Sequence, residues 1–147
     1  MLPPSPLFHK PKSIIAATKI LYATLFLGVI NWGISQFTTA QTGGARVEAI
    51  IVLIITISVV FFLIKQIGAG KKWSRVVLLV LFLLGLVGYL WVGPVMFRIN
   101  LLVAVISLLE MVLQTIALIY LFSKDSTTWF QHVESFKRDE MAPASSK

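Results

Sequence analysis

No cysteine occurs in this chain. Disulfides, thiol catalysis and thiolate metal ligation are therefore excluded. Acidic residues are scarce: Asp and Glu total 6, against 13 Lys and Arg, for a net charge of +7. Charge of either sign makes up only 13% of the 147 residues, whereas 57% are hydrophobic and the mean hydropathy is +0.88. A water-soluble domain of this length needs more polar surface than that. The composition points to lipid as the solvent.

The excess of cations would suggest nucleic acid in a soluble protein. Here the Lys and Arg residues gather at the ends of apolar runs, which is the membrane-protein pattern. No basic helix face with stacking aromatics accompanies them, so nucleic acid is not an expected partner.

Four apolar stretches are long enough to cross a bilayer as helices, which takes about 20 residues each. They cover residues 14–37, 47–64, 76–97 and 99–122. Before them, residues 1–12 hold Pro3, Pro4, Pro6 and Pro11, a density that opposes a helix and reads as an extended tail. Lys19 lies in the first turns of the first span, where it can snorkel to the headgroups. The second span is rich in Ile and Val. In water such a run suggests a strand, but its uninterrupted length favours a helix in lipid. Gly43-Gly44 is placed in a polar loop over 36–46, and Gly68 and Gly70 in a loop over 66–75. Gly93-Pro94 is expected to kink or stop the third span. The connection to the fourth span is so short that those two helices must be antiparallel neighbours. The expected fold is an all-α membrane protein, a four-helix transmembrane bundle over residues 13–123.

Residues 124–147 are polar. Trp129, Phe130, Val133 and Phe136 recur there at helical spacing, with His132, Glu134, Lys137 and Arg138 between them. This suggests a short amphipathic helix at the membrane surface, the alternative being a partly ordered tail. Disorder is expected from Met141 to Lys147. The N-tail with the first turn, the middle loop and the C-tail hold eleven of the 13 Lys and Arg residues; the other two loops hold only Arg46 and Arg98. That bias puts both termini in the cytoplasm. A rival reading makes the first span a signal peptide cleaved after Thr38-Thr39-Ala40. Its apolar stretch is longer than a usual signal core, and Lys19, Asn31 and Gln36 interrupt it, so retention is preferred.

Glu110 is the one acid inside a span, near the middle of the fourth. An ionised carboxylate at that depth costs on the order of 3 kcal/mol. It must be protonated, paired, or open to a water-filled cavity. Asn100, Ser107, Glu110 and Gln114 follow at intervals of seven, three and four, which sets them on one helix face. Thr24, Gly28, Asn31 and Ser35 form a matching stripe on the first helix, at intervals of four, three and four. We expect these faces to pack, with Glu110 hydrogen-bonded to Asn31 or Thr24 and Gly28 allowing close approach. On that reading Glu110 is a protonated helix-to-helix donor. The functional reading makes it a site that binds and releases protons or a cation. Lys65, Lys71, Lys72 and Arg75 are expected to meet anionic headgroups. Gly68-Ala69-Gly70-Lys71-Lys72 lacks the spacing of a phosphate-binding loop. His9 and His132 stand in opposite tails with no acids clustered around them, so no metal site is expected. No grouping suggests hydrolysis, so neither catalysis nor a cofactor is expected.

The run Gly70-Lys71-Lys72-Trp73-Ser74-Arg75-Val76-Val77 with Leu81-Phe82-Leu83-Leu84-Gly85 resembles a pattern in small four-helix bacterial inner-membrane proteins to which no activity is assigned. So does Ala117-Leu118-Ile119-Tyr120-Leu121-Phe122-Ser123 with Ser126-Thr127-Thr128-Trp129-Phe130. The likeness spans about the last half of the chain and implies a bacterial inner membrane. Small multidrug resistance transporters are similar in size and helix number, but they carry their essential acid in the first helix, where this chain has Asn31. The expectation is thus a multi-pass protein of interaction or accessory type, structural, regulatory or immunity-like. Its expected partners are the lipid bilayer and a second copy of itself or another membrane protein. The alternative is a small oligomeric proton- or cation-coupled transporter or channel using Glu110.

Overall fold

The computed structural model describes residues 10–38 and 43–141. Five helices account for nearly all of them: α1 (Lys12–Thr38), α2 (Gly43–Gly68), α3 (Lys72–Ile99), α4 (Leu101–Leu121) and α5 (Lys124–Met141). The first four are long and apolar enough to cross a membrane. Among the described residues there is no strand. A chain this apolar cannot expose backbone amides to hydrocarbon, and a helix satisfies them internally. That is why the β-branched run of α2 is helical.

Each of these helices packs on its neighbours in chain order, and α1 closes the ring on α4 in the most extensive contact of the bundle. The turn between α3 and α4 is one residue, Asn100, in extended conformation. Its side-chain Oδ1 accepts from the Val103 amide at 3.2 Å and so caps α4. Pro94 does not stop α3, which runs on to Ile99. Its missing N–H leaves one carbonyl unpaired, a loss a long apolar helix tolerates. The loop expected over 66–75 shrinks to Ala69–Lys71, because α2 and α3 each extend past their apolar stretch. Gly43 and Gly44 fall in the first turn of α2, not in a turn between helices.

The core is one-sided. Ile14, Ala17 and Leu21 of α1 pack with Leu63, Ile64 and Ile67 of α2, Leu78 of α3, Ala117, Leu118 and Leu121 of α4, and Trp129 and Phe130 of α5. Every one of these lies toward the end of the bundle that carries α5. Phe130 is fully buried. So the stretch after Lys124 is a helix docked on one end of the bundle. In the opposite half, from Val47 to Phe62, no residue of α2 is fully buried.

Most of the Pro-rich tail expected over 1–12 lies outside the described residues, as do Thr39 and Ala40 of the alternative cleavage point. Of the disordered end expected from Met141 onward, only Met141 is described, and it closes α5.

Candidate functional site

The half of the bundle away from α5 encloses a half-open cavity of about 960 Å³. Its walls are drawn from all four long helices, over the stretches Leu21–Trp32, Glu48–Val60, Leu78–Tyr89 and Ser107–Leu118. Leu21, Leu78 and Leu118 belong both to the cavity wall and to the packed core, so the core forms its closed floor. The cavity has the size range of small-molecule sites, about 300–1,000 Å³.

Its lining is mainly apolar. Several of the polar exceptions lie on α4 and the facing stripe of α1. Glu110, Ser107 and Gln114 line it from α4, and Thr24 and Gly28 line it from α1. Asn31 Nδ2 donates to Ser107 Oγ at 2.8 Å, an interhelical hydrogen bond beside the cavity. The Asn31 amide also stands against the Glu110 carboxyl. Gly28 is directly opposite: a Cβ there would lie 3.8 Å from Glu110 Oε2. Glu110 Oε1 and Asn31 Oδ1 are both buried without a hydrogen-bond partner among the described residues. Thr24 turns its hydroxyl back to the Leu21 carbonyl at 2.9 Å. It therefore satisfies its own helix rather than Glu110. Ser35, on the same stripe, likewise donates to the Trp32 carbonyl at 2.8 Å. Asn100 stands apart from this group, since its side chain caps α4.

The four cations expected at headgroups divide into two pairs. Lys65 and Lys71 are exposed, and Lys65 lies over the Phe61 ring with Nζ 4.8 Å from its centroid. Lys72 forms an ion pair with Glu134 of α5. Arg75 points inward: its guanidinium carbon lies 5.3 Å from the Phe122 ring centroid and 4.9 Å from that of Phe130. Its Nη1 donates to Thr127 Oγ1 at 3.3 Å. Lys72 and Arg75 thus also hold α5 onto α3. The physical reason is that α5 supplies an acid (Glu134), a hydroxyl (Thr127) and one ring (Phe130), and the C-cap of α4 supplies the second ring, Phe122.

Some functional positions give little signal in sequence. Ser126 is fully buried; its hydroxyl donates to the Tyr120 carbonyl at 2.8 Å and meets Ser13 Oγ at 2.9 Å. It joins α1, α4 and α5 at one point. Ser13 lies 113 residues away in the chain, so no local spacing could reveal the pair. Glu48 and Thr56 of α2 line the cavity, as does Tyr89, whose hydroxyl donates to the Ala104 carbonyl at 3.2 Å. For Glu48 the available signal was an acid at the start of an otherwise uncharged span.

In comparisons with known proteins the chain matches no family model, no curated protein and no solved structure.

Proposed function

We propose that this is a non-catalytic, multi-pass membrane protein that acts by binding a hydrophobic molecule of the bilayer inside its helix bundle. The observation that carries this reading is the cavity: about 960 Å³, apolar on most of its wall, with one unpaired carboxyl oxygen at its middle depth. A bundle built only for packing closes such a space, because unfilled volume forfeits dispersion contacts. The floor argues against an open channel. Residues from all five helices interlock there, and the cavity does not run through them.

Orientation follows from charge. Lys10, Lys12, Lys19, Lys65, Lys71, Lys72, Arg75 and Lys124 cluster at the α5 end, and the opposite end holds Arg46 and Arg98. We therefore assign the α5 end to the cytoplasm of a bacterial inner membrane. Exposed apolar faces on α2 and α3 leave room for a second copy or another membrane protein alongside the lipid.

The test is saturable photolabelling in lipid nanodiscs with a neutral diazirine-bearing hydrocarbon. The expected result is labelling of Leu25, Leu86 and Met111 in the cavity that an excess of unreactive hydrocarbon abolishes. Labelling confined to the outward-facing Leu84, Val105 and Leu109, and indifferent to competitor, is the result that defeats the reading.

A further inference from the structure

The chain as a whole is cationic, with 13 Lys and Arg against 6 acids. Its cavity has the opposite character. Two carboxyl-bearing residues, Glu110 and Glu48, line it, and among the described residues no Lys, Arg or His does. The described cations are spent or placed elsewhere. Arg75 is packed between Phe122 and Phe130, Lys72 is paired with Glu134, and Lys65 lies on Phe61. Arg98 is exposed in the last turn of α3, beyond the cavity wall. A lone carboxylate against apolar walls lacks solvation and lacks a counter-charge. Among the described residues it is met by an amide, Asn31, and by no cation.

We infer that the occupant of this cavity is a lipophilic organic cation, its charge shielded by bulky apolar groups and set against Glu110. This rests on the binding reading above and adds the class of ligand. The chemistry selects that class over its rivals. A small metal cation needs several ligands at once, and among the described residues no group of three acids or histidines offers them. An anionic amphiphile would be repelled by both acids at short range in a medium of low dielectric. A neutral hydrocarbon fills the space but leaves the carboxyl unpaired. A cation wrapped in apolar substituents is weakly hydrated, so it crosses into the bilayer at small cost and gains the full interaction there. Trp32 and Tyr89 in the wall add aromatic faces, which attract cations by about 0.5–2 kcal/mol each. Leu25, Leu53 and Leu86 bury its apolar bulk.

Three near-isosteric probes of different charge decide the matter: radiolabelled tetraphenylphosphonium, tetraphenylmethane and tetraphenylborate. Each is titrated by equilibrium dialysis against the full chain in nanodiscs of zwitterionic lipid, with empty nanodiscs subtracted. The expected result is saturable binding of the phosphonium, at least tenfold weaker binding of the neutral probe, and none of the borate. Glu110→Gln is expected to weaken the phosphonium at least tenfold while the helical circular dichroism is kept, which shows the variant folded. Equal binding of phosphonium and neutral probe to the wild-type chain overturns the cation class and leaves the binding reading standing. Saturable binding of none of the three overturns both. Undiminished phosphonium binding by a folded Glu110→Gln chain removes Glu110 from the assignment.

Discussion

Gly28 of α1 and Glu110 of α4 face one another at the middle of the bundle, where a Cβ on residue 28 would rest 3.8 Å from the Glu110 Oε2. That is ordinary van der Waals contact. The position accepts a methyl group without displacing the carboxyl, and a larger side chain would extend into the cavity. Gly28→Ala is therefore expected to change stability by less than about 1 kcal/mol, within the range for a helical Gly-to-Ala exchange. Gly28→Phe is expected to fill the cavity and abolish saturable photolabelling while the helical circular dichroism is kept. Normal labelling of a folded Gly28→Phe chain would show that the ligand does not use this space.

Asn31 and Ser107 make an interhelical side-chain hydrogen bond across the α1–α4 contact, at 2.8 Å. Such bonds inside membranes contribute about 0.6 kcal/mol on average, with a maximum near about 1.7 kcal/mol. A double-mutant cycle of Asn31→Ala and Ser107→Ala, read by reversible unfolding in mixed micelles, should return a coupling in that range. A coupling indistinguishable from zero means that the pair contributes position and not stability.

Gly70 ends the α2–α3 turn with φ of +77°, a conformation that costs a non-glycine residue roughly 1–2 kcal/mol. A Cβ there would also lie 2.8 Å from Val133 Cγ1 and 3.2 Å from the Trp129 ring. Both contacts belong to α5. Gly70→Ala is expected to loosen α5 selectively. Hydrogen exchange should accelerate at the amides of residues 126–135 and remain unchanged in α1 and α4. Uniform protection across α5 in the variant would contradict the docking described above.

Arg75 sits between two aromatic rings with one hydroxyl partner, a geometry that uses the flat face of a guanidinium. Arg75→Lys keeps the charge and loses the stacking. It is expected to lower stability by about 1 kcal/mol, the scale of a partly desolvated cation–π contact. Lys72→Ala removes an ion pair whose side chains are 40% and 47% exposed. Screening by solvent limits that loss to about 0.5 kcal/mol, and it should shrink further in salt. Thermal unfolding of the two variants side by side checks the order. A larger effect at Lys72 than at Arg75 would reverse the assignment of which contact holds α5.

Much of this arrangement was legible in the residues. The four apolar runs fall in the length range needed to cross hydrocarbon, so their helical state follows from composition and length. The repeat of Trp129, Phe130 and Val133 announced a face that had to be covered. The stripes Thr24–Gly28–Asn31 and Ser107–Glu110–Gln114 are small and polar where lipid demands apolar bulk, which is why the α1–α4 contact could be anticipated. The individual hydrogen bonds could not: Thr24 had a carbonyl of its own helix within reach, and Asn100 was needed as a cap.

By itself, then, the chain's chemistry determined that lipid is the solvent, that each span is a helix, and that cations collect at one end. Those properties are local or additive, and each residue contributes to them wherever its neighbours lie. Tertiary structure alone decided that the main apolar cluster lies toward the α5 end, that a cavity lies beyond it, and that Arg75 reaches Phe122, Thr127 and Phe130. These depend on how helices far apart in sequence are rotated and spaced against one another. An empty volume between four helices is a property of no single segment.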